Sequence, residues 1–417
     1  MIARHRPPLR IALALVVAAP WAVRADEAPS VARSRDAVEA LALARGVPDP
    51  ALASAPLTRE DARRALKILH ERREAEVKRT RAAEVRAGRL KVGDLEMPFA
   101  TKVFGKKPRE GRSLYLSMHG GGGAPARVND QQYENQKGLY QPEEGLYIAP
   151  RAPTNSWDLW HQSHVDAFFE RLIEDMAVFE GVDFDKVYLM GYSAGGDGVY
   201  QLAPRMADRL AAASMMAGHP NQASPLGLRN LPFAIHVGAD DAAYDRNKVG
   251  REWGEQLDRL RQGDPGGYLH LTEIHPGRGH WMNHEDASAL PWMARFRRDP
   301  VPKKVVWHQD DVTHDRFYWL AVEPGRAQKG STVVAEREGQ EIRVTKLEGV
   351  DRLRIRLDDR MLGLDRPIKV TVLGRTAFEG RVDRTIATLA KTLEGPGDPG
   401  LAFSAEVAVT PPGPKPE

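Results

Sequence analysis

Short apolar runs alternate with longer amphipathic stretches through the middle of the chain. The short runs are typical of buried strands, whereas the longer stretches have helical periodicity. The predicted strands are 95–103, 113–118, 145–148, 186–190, 211–215, 232–237 and 268–274, and the predicted helices are 165–179 and 247–261. Strands that alternate with helices indicate a mostly parallel sheet covered on both faces, so residues 93–300 are predicted to form a doubly wound α/β domain.

The pattern changes after Pro300 and Pro302, where helical periodicity nearly disappears. A series of short runs with strand character follows, namely 304–307, 317–322, 331–336, 341–346, 352–357, 368–373 and 403–409. Short strands separated by turn residues are typical of β-sandwiches, so residues 301–409 are predicted to form a second, β-sandwich-like domain. The last stretch, 410–417, is rich in proline and glycine and is predicted to be a disordered tail.

A helical extension is predicted to precede the α/β domain, over residues 26–92. Thr58 followed by Asp61 has the spacing of a helix N-cap, and a charged helix is predicted from there to about Gly88. Its arginines and lysines are interleaved with glutamates, which favours ion pairs on the helix surface over contact with nucleic acid.

Residues 1–25 are arranged like a secretory signal. A basic segment up to Arg10 precedes an apolar run, 11–19, and small residues flank Arg24, where a signal peptidase would cut. The apolar run is too short to cross a bilayer as a helix, and no other stretch approaches that length. The sequence therefore predicts an exported protein, periplasmic or secreted, with no membrane insertion.

The composition of the chain excludes some kinds of catalytic site and disfavours some kinds of partner. The chain of 417 residues has no cysteine, which excludes a catalytic thiol and a metal site with cysteine ligands. Its formal charge is +3, and loss of the arginines in the predicted signal would leave it close to neutral. A nearly neutral chain has no general attraction for nucleic acid or for an anionic membrane, so neither is predicted as a partner.

A strand, a sharp turn and a helix are predicted around Ser193. The strand 186–190 runs into the pentad G-Y-S-A-G at 191–195, and a helical run continues to about Leu202. This order is the one that a nucleophile elbow requires, in which the serine hydroxyl is raised above the edge of the sheet. Strand and helix pass closely there, so Gly191 and Gly195 are expected where side chains would collide. Ser193 is the candidate nucleophile.

A candidate acid follows Ser193 in the chain. A serine hydroxyl needs a base to take its proton, and the base needs a third group to orient it. The strand 232–237 leads to Asp240 and Asp241, at the edge where open α/β sheets place their sites. Asp241 is the preferred acid, and Asp240 is the alternative.

A candidate base follows the next strand, 268–274. His280 is preferred because it is flanked by glycine on a loop set back from the strand, whereas His275 lies at the strand end and is expected to pack or cap it. These two histidines and His284 can also be read as a metal cluster. Their uneven spacing, with a proline between the first two, disfavours that interpretation.

A run of glycines after the strand 113–118 is a second motif that indicates catalytic chemistry, independent of the pentad around Ser193. His119 ends this strand, and glycines occupy 120–123. Ester hydrolysis passes through a tetrahedral oxyanion that backbone N–H groups must hold, and glycine lets the backbone approach closely. The expected donors are the amide of Ala194 and one amide from Gly121 or Gly122. No Gly-Lys-Ser/Thr sequence follows the run, which disfavours a phosphate-binding loop.

These motifs together resemble the α/β-hydrolase superfamily, and more narrowly its secreted esterases, similar to polyhydroxyalkanoate depolymerases, feruloyl esterases and dienelactone hydrolases. The resemblance rests on 119–122, 191–195, Asp241 and His280, in this order, and covers about residues 95–298. It implies a serine hydrolase that cleaves carboxylic esters, small or polymer-linked, through an acyl-enzyme with no cofactor and no metal. The Gly-His-Trp sequence at His280 departs from the fuller glycine-rich motif of some depolymerases.

Aromatic residues on loops at the same edge are candidates for substrate contact. They are Trp157, Trp160 and His161, which follow the strand 145–148, and Trp281, which follows the candidate base. Aromatic side chains at such a position can line an acyl or aryl pocket, and they can also cover the core.

Two other functions are alternatives. A peptidase of the prolyl-oligopeptidase type would use the same triad, although the chain has no room for that family's large propeller ahead of the α/β domain. A non-catalytic protein would bind cell wall or polysaccharide through the β-rich segment, 303–417, and the presence of all three triad candidates disfavours this function. A polysaccharide contact through the same segment is also compatible with an enzyme.

Overall fold

The computed structural model describes residues 31–44 and 46–411. The predicted signal segment, 1–25, lies outside the described residues, as does 412–417 of the predicted tail. Within the described residues no helix is long and apolar enough to cross a membrane. The α-helices of this part of the chain are α1 (Val31–Leu43), α2 (Pro50–Ala53), α3 (Arg59–Ala87), α4 (Ala126–Gln136), α5 (Ser163–Glu180), α6 (Ala194–Arg205), α7 (Arg246–Gly263), α8 (Ala289–Met293) and α9 (Ile386–Glu394).

A large sheet forms the centre of the described chain. Its strands are β1 (Arg89–Val92), β2 (Leu95–Phe104), β3 (Arg112–Met118), β4 (Gly145–Pro150), β5 (Val182–Tyr192), β6 (Ala212–Met216), β7 (Phe233–Gly238) and β8 (His270–His275). Their spatial order is β1-β2-β4-β3-β5-β6-β7-β8, and pairing is parallel from β4 to β8 and antiparallel at β1 and β2. The predicted α/β class with a mostly parallel sheet is therefore confirmed. Strand β1 lies in the segment that the sequence interpretation gave to helices.

Helices cover both faces of this sheet. On β5, Leu189 belongs to one apolar cluster, whereas its neighbours Tyr188 and Met190 belong to another, as expected for side chains that alternate along a strand. The first cluster receives apolar residues from α5, α6 and α7, and the second is closed by α8 with a contribution from α4. Because strands buried on both faces cannot be shifted in register without exposing apolar residues, their carboxyl ends are held in fixed relative positions.

The loops that carry the candidate site all leave the same edge of the sheet. The glycine run follows β3, the elbow follows β5, and the candidate acid and base follow β7 and β8. The carboxyl ends of parallel strands meet at one edge, which is where open α/β sheets bind ligands.

Two smaller sheets follow the α/β part. Their strands are β9 (Lys304–His308), β10 (Arg316–Phe317), β11 (Leu320–Ala321), β12 (Thr332–Glu338), β13 (Glu341–Glu348), β14 (Leu353–Leu357), β15 (Ile368–Val372), β16 (Arg375–Gly380) and β17 (Ala405–Val409). One sheet has the order β10-β11-β14-β17 and the other β16-β15-β13-β12-β9. Their apolar residues share one cluster, so the β-rich C-terminal part that the sequence predicts is present.

The β-rich part does not have a core of its own. Its apolar cluster is continuous with that of the large sheet, and the Tyr318 hydroxyl donates a hydrogen bond of 2.9 Å to the Ala207 carbonyl just after α6. Helix α9, which the strand-like pattern after residue 300 does not predict, packs on α2 and α3 and shares an apolar cluster with α1. The first and last parts of the described chain therefore stabilise each other directly.

A buried ion-pair network joins the C-terminal part to the α/β part. Asp398, on the loop after α9, accepts hydrogen bonds from Arg298 at 2.6 Å and from Arg209 at 3.4 Å. Arg298 also donates to Asp185, on β5, at 2.8 Å. Removing one partner of such a buried network leaves an uncompensated charge, which is far more costly than losing a surface pair.

Helix α3 begins where its cap signal predicts. The Thr58 hydroxyl accepts a hydrogen bond of 3.1 Å from the Asp61 amide, and a left-handed Gly88 ends the helix. Some of its basic residues pair with glutamates of the same helix, as expected, but Arg73 and Arg81 instead reach Glu174 on α5, at 2.6 Å and 2.8 Å. The basic face is therefore used partly for packing on the α/β domain.

Candidate active site

Ser193 lies on a strained turn between β5 and α6. Its backbone has φ 58° and ψ −122°, which is a sparsely populated region for a residue with a side chain. A Cβ at Gly191 would lie 2.2 Å from the Gly195 carbonyl oxygen, and one at Gly195 would lie 2.1 Å from the Met118 carbonyl oxygen. Both glycines are therefore required by the close passage of helix and strands, as the elbow motif predicts.

Three side chains from three loops form a continuous hydrogen-bonded row. The Ser193 Oγ lies 2.9 Å from His280 Nε2, and His280 Nδ1 lies 2.8 Å from Asp241 Oδ2. A carboxylate can only accept, so Nδ1 carries the ring proton and donates it to Asp241. Nε2 is then left with a free lone pair that accepts the hydrogen bond from the serine hydroxyl. This arrangement is what a general base beside a nucleophile requires.

The turn after β7 brings only one of the two adjacent aspartates, Asp240 and Asp241, to the imidazole of His280. Asp241 is buried, and its amide donates a hydrogen bond of 3.1 Å to the Gly238 carbonyl, while its own carbonyl accepts one of 3.0 Å from the Asn247 amide. Asp240 is exposed. The side chain that reaches the imidazole is therefore that of Asp241, the preferred candidate.

Tyr192, the residue before the nucleophile, holds the loop that carries the base. Its hydroxyl donates a hydrogen bond of 2.6 Å to the His280 carbonyl and accepts one of 3.1 Å from the Met282 amide. The tyrosine ring also packs against those of His280 and Trp281, with centroids 5.9 Å and 5.7 Å apart. The elbow and the histidine loop are thus tied to each other, a role that the sequence interpretation did not give to Tyr192.

His119 holds the start of the glycine loop. Its Nδ1 donates a hydrogen bond of 2.6 Å to the Gly120 carbonyl, and its Nε2 accepts one of 3.1 Å from the Ala152 amide. Burial lowers the pKa of this ring to about 4, so it stays neutral at physiological pH, which both hydrogen bonds require. The indole N–H of Trp160 donates to the His119 carbonyl at 2.9 Å.

Asn129, at the start of α4, binds one of the two glycine amides that were candidates for the oxyanion hole. Its side-chain oxygen accepts a hydrogen bond of 2.8 Å from the Gly122 amide, and its Nδ2 donates one of 3.0 Å to Asn155. Among the described residues, the amides of Gly121 and Ala194 are bound to no acceptor, and that of Ala194 is in the first turn of α6, where none is available within the helix. Gly121 and Ala194 are therefore the candidate oxyanion donors, and Gly122 is already engaged.

Replacing Asn129 by alanine is expected to lower kcat for an ester about 10- to 100-fold with little change in KM. The loop would lose the bond that fixes the Gly121 amide, and a donor of this kind acts mainly on the transition state. Steady-state kinetics on a chromogenic ester would measure both constants. Gln131→Ala, an exposed change on the same helix, is the control. A rise in KM with kcat unchanged in Asn129→Ala would contradict this role.

A cavity of about 480 Å³ opens beside Ser193 and His280. Its remaining walls come mainly from α4 and from the residues next to the triad, namely Gln132, Asn135, Gln136, Leu139, Tyr192 and Trp281. These are carboxamide, aromatic and aliphatic groups, and among the described residues that line the cavity none is charged. The cavity is thus suited to an uncharged ligand with some hydrogen-bonding groups.

The four residues predicted to contact substrate lie in different environments. Trp281 lines the cavity and is half exposed. Trp157 is exposed beside the glycine loop, and its ring packs edge-to-face on His161 with centroids 5.4 Å apart. Trp160 is fully buried in the core, so its side chain does not face the cavity. Trp281 is therefore the member of this set that lines the cavity beside Ser193.

The tryptophan pair provides a matched test of the cavity. Trp281→Ala is expected to raise KM about five- to tenfold for an aryl or long-chain ester, because part of an aromatic contact area is lost. Trp157→Ala, which removes an exposed tryptophan outside the cavity lining (64% exposed, against 50% for Trp281), is expected to change KM less than twofold. Equal effects of the two changes would contradict this placement of the ligand.

The histidines at 275, 280 and 284 have separate environments. His280 bonds to Asp241, and His284 packs edge-to-face on Trp281 with centroids 4.9 Å apart. His275 is buried at the strand end, where it contacts Glu285 at 3.3 Å. The strand-end position of His275 agrees with the packing role expected for it.

Comparison with known proteins adds solved structures that share part of the fold. No family model matches the chain, and no curated protein matches it. The chain is similar to a thermostable esterase (18% identity, TM-score 0.39, 50% of this chain and 62% of the other), so it spans about three fifths of that protein. It is also similar to a poly(3-hydroxybutyrate) depolymerase from Bordetella parapertussis, with 17% identity, a TM-score of 0.37, and coverage of 51% of this chain and 97% of the other. A feruloyl esterase module from Clostridium thermocellum has 15% identity, a TM-score of 0.34, and coverage of 50% of this chain and 86% of the other.

These proteins are named as an esterase, a depolymerase and a feruloyl esterase module, which are kinds of protein that the motifs resemble. Identities this low say nothing about the substrate. The reaction is therefore inferred from the geometry around Ser193.

Proposed function

We propose that this protein is an exported serine hydrolase that cleaves carboxylic esters through an acyl-enzyme intermediate. The observation that carries the proposal is the row formed by Ser193, His280 and Asp241, with contacts of 2.9 Å and 2.8 Å. It lies on an elbow whose backbone is strained, beside a cavity that can admit an acyl or alcohol group. Strain of this kind persists only where the surroundings impose it, and it is concentrated at functional sites.

In the first step the Ser193 oxygen attacks the ester carbonyl, while His280 Nε2 takes the hydroxyl proton. The imidazolium that forms is stabilised by the buried carboxylate of Asp241, which stays ionised. The carbonyl oxygen becomes an oxyanion, and the amides of Gly121 and Ala194 are placed to donate to it. Such donors contribute about 3–4 kcal/mol each to the stability of a comparable transition state.

In the second step the C–O bond to the leaving alcohol breaks, and His280 gives its proton to the departing oxygen. The acyl group is now bonded to Ser193. Water then attacks the acyl-enzyme with His280 again acting as base, and collapse of the second oxyanion releases the carboxylic acid and restores the serine hydroxyl. Each proton taken up by the ring is returned, so the chain needs no further reactant.

The cavity favours an ester over a peptide. The described residues that line this cavity include no charged group, so they offer no ion pair to the charged ends or side chains of a peptide. Carboxamides of Gln132 and Asn135 instead offer donors and acceptors to hydroxyl or carbonyl groups of a neutral substrate.

Export and the role of the β-rich part belong to the same proposal. The order of basic, apolar and small residues in 1–25 supports a cleaved signal. Expression of the full chain, followed by mass measurement of the protein from periplasm or medium, is expected to give a chain that begins near Asp26. A full-length chain confined to the cytoplasm would contradict export. Polysaccharide contact through 303–417 stays a prediction.

Substrate comparison tests the reaction class. The chain is expected to hydrolyse p-nitrophenyl acetate and butyrate, and to release no p-nitroaniline from peptide anilides above the level of the Ser193→Ala variant. Because the two substrate types release similar chromophores, one assay measures both. Turnover of an anilide that depends on Ser193 would instead support the peptidase alternative.

A further inference from the structure

A second group of ligand-type side chains lies on the two strands that lead to the triad acid and base. His236 is on β7, and Glu273 and His275 are on β8. His236 pairs with Glu273 across the parallel strands, and His275 is two residues further along β8, so all three project from the same face of the sheet. Their candidate ligand atoms all lie within 4.8 Å of one another.

The spacing of these atoms is that of a small coordination sphere. His236 Nδ1 lies 3.2 Å from His275 Nε2 and 3.5 Å from Glu273 Oε2. Tetrahedral Zn²⁺ with bonds of about 2.0–2.2 Å requires ligand atoms about 3.3–3.6 Å apart. The two imidazoles are within 20° of parallel, with ring centroids 5.4 Å apart, and the two nitrogens face each other.

The outer contacts of the group also suit a metal ion. His275 Nδ1 lies 3.3 Å from the Glu285 carboxylate, and a carboxylate on the second nitrogen is the usual support of a metal-binding histidine. Glu285 is itself paired with Arg278 at 2.5 Å, whereas among the described residues Glu273 has no arginine or lysine partner. The Ser288 hydroxyl lies 3.3 Å from Glu273 and 3.0 Å from the Glu285 carbonyl, and it can donate to only one of them at a time.

We propose that His236, Glu273 and His275 bind one divalent transition-metal ion of the Zn²⁺ type, with water in a fourth position. Two imidazoles and one carboxylate are a donor set that such ions prefer. The ion would tie the carboxyl ends of β7 and β8 together a few residues before Asp241 and His280, and it would take no part in ester chemistry. Without an ion the two rings share one proton in an N–H···N contact, which is the state that an experiment must distinguish.

Zinc binding to an untagged, chelator-stripped full chain tests the proposal. Equilibrium dialysis against ZnCl₂ at neutral pH is expected to give one tightly bound ion per chain. Glu273→Gln, a change of a part-exposed side chain that keeps its shape, is expected to weaken binding at least tenfold, as is His275→Gln. His284→Gln removes an exposed histidine of the neighbouring loop, and His280→Ala removes the proposed catalytic base; both are expected to keep the ion.

Binding of no ion by the wild-type chain would overturn the proposal. So would binding that survives Glu273→Gln and His275→Gln, or that is lost in His284→Gln or His280→Ala. The visible spectrum of the Co²⁺-substituted chain provides a second measurement, since a nitrogen and oxygen site of low coordination number is expected in the wild type and a hexa-aqua spectrum in Glu273→Gln. Circular dichroism shows that each variant is folded. None of these readouts depends on ester hydrolysis.

Discussion

Replacing Ser193 by alanine is expected to lower kcat for ester hydrolysis about 10⁶-fold, with KM little changed. Loss of the nucleophile removes the covalent route altogether, and what remains is catalysis by the oxyanion donors and by binding. His280→Ala is expected to cause a similar loss, because the two residues act as one unit joined by the 2.9 Å contact. The measurement is the hydrolysis of a p-nitrophenyl ester over a long enough time to detect residual turnover.

The two adjacent aspartates provide the matched control for this prediction. Asp241→Asn is expected to lower kcat about 10⁴-fold, because an amide cannot hold the imidazole in the tautomer that leaves Nε2 free. Asp240→Asn changes an exposed carboxylate and is expected to leave kcat within a factor of two. A larger loss in Asp240→Asn than in Asp241→Asn would contradict the assignment of the acid.

Replacing Asp398 by alanine is expected to destabilise the protein by about 3–5 kcal/mol without altering the triad. Among the residues that the structure describes, the change leaves the buried Arg209 guanidinium with no carboxylate partner and removes one of the two carboxylates bound to Arg298. Urea unfolding followed by tryptophan fluorescence would measure the shift. Asp365→Ala, which removes an exposed carboxylate from Arg384 while Asp359 remains, is expected to cost less than about 1 kcal/mol.

Asp398 is also expected to make the free energy of unfolding depend on pH. Burial alone would raise the pKa of Asp398, but the guanidinium groups of Arg298 and Arg209 outweigh it and lower the pKa. A carboxyl with a lowered pKa stabilises the folded state fully above its unfolded pKa of about 4, and the contribution is lost as the pH falls through the folded value. The difference in unfolding free energy between wild type and Asp398→Ala is therefore expected to be constant at pH 6–8 and to shrink below pH 4. A difference that grows on acidification would contradict this.

The parts of the site that could be predicted from sequence are those with a local steric or chemical cause. The sharp turn at Ser193 could be predicted from the pentad around it. Gly191 and Gly195 are needed there because the helix passes too close to the strands to leave room for a side chain at either position. Asp241 and His280 were predicted from their positions after β7 and β8, since parallel strands bring their carboxyl ends to one edge. The same reasoning predicted the α/β fold class, which the structure confirms.

The parts that could not be predicted depend on contacts between distant segments. Helix α4 is polar and has little apolar periodicity, so no pattern indicated it, although it carries Asn129 and three of the residues that line the cavity. Trp160 differs from Trp157 and Trp281 only in the direction of its side chain, which the sequence does not specify. His236 and His275 are separated by a helix in the chain and meet only because β7 and β8 pair.

The packing of the C-terminal part against the large sheet could not be predicted from the sequence either. Its strands were predicted from alternation and turns, but the pattern contains no sign that their core is continuous with that of the large sheet. Asp398 reads as an ordinary loop acid in the sequence, and its burial between Arg209 and Arg298 follows only from the way the two parts pack.

In the proposed mechanism the Ser193 hydroxyl becomes nucleophilic because the His280 imidazole accepts its proton. Incubation with a fluorophosphonate, followed by intact-mass measurement and peptide mapping, would detect this reactivity. One adduct per wild-type chain is expected, located on Ser193, and none on Ser193→Ala. An unreactive, folded wild-type chain, or an adduct that forms equally on Ser193→Ala, would contradict it.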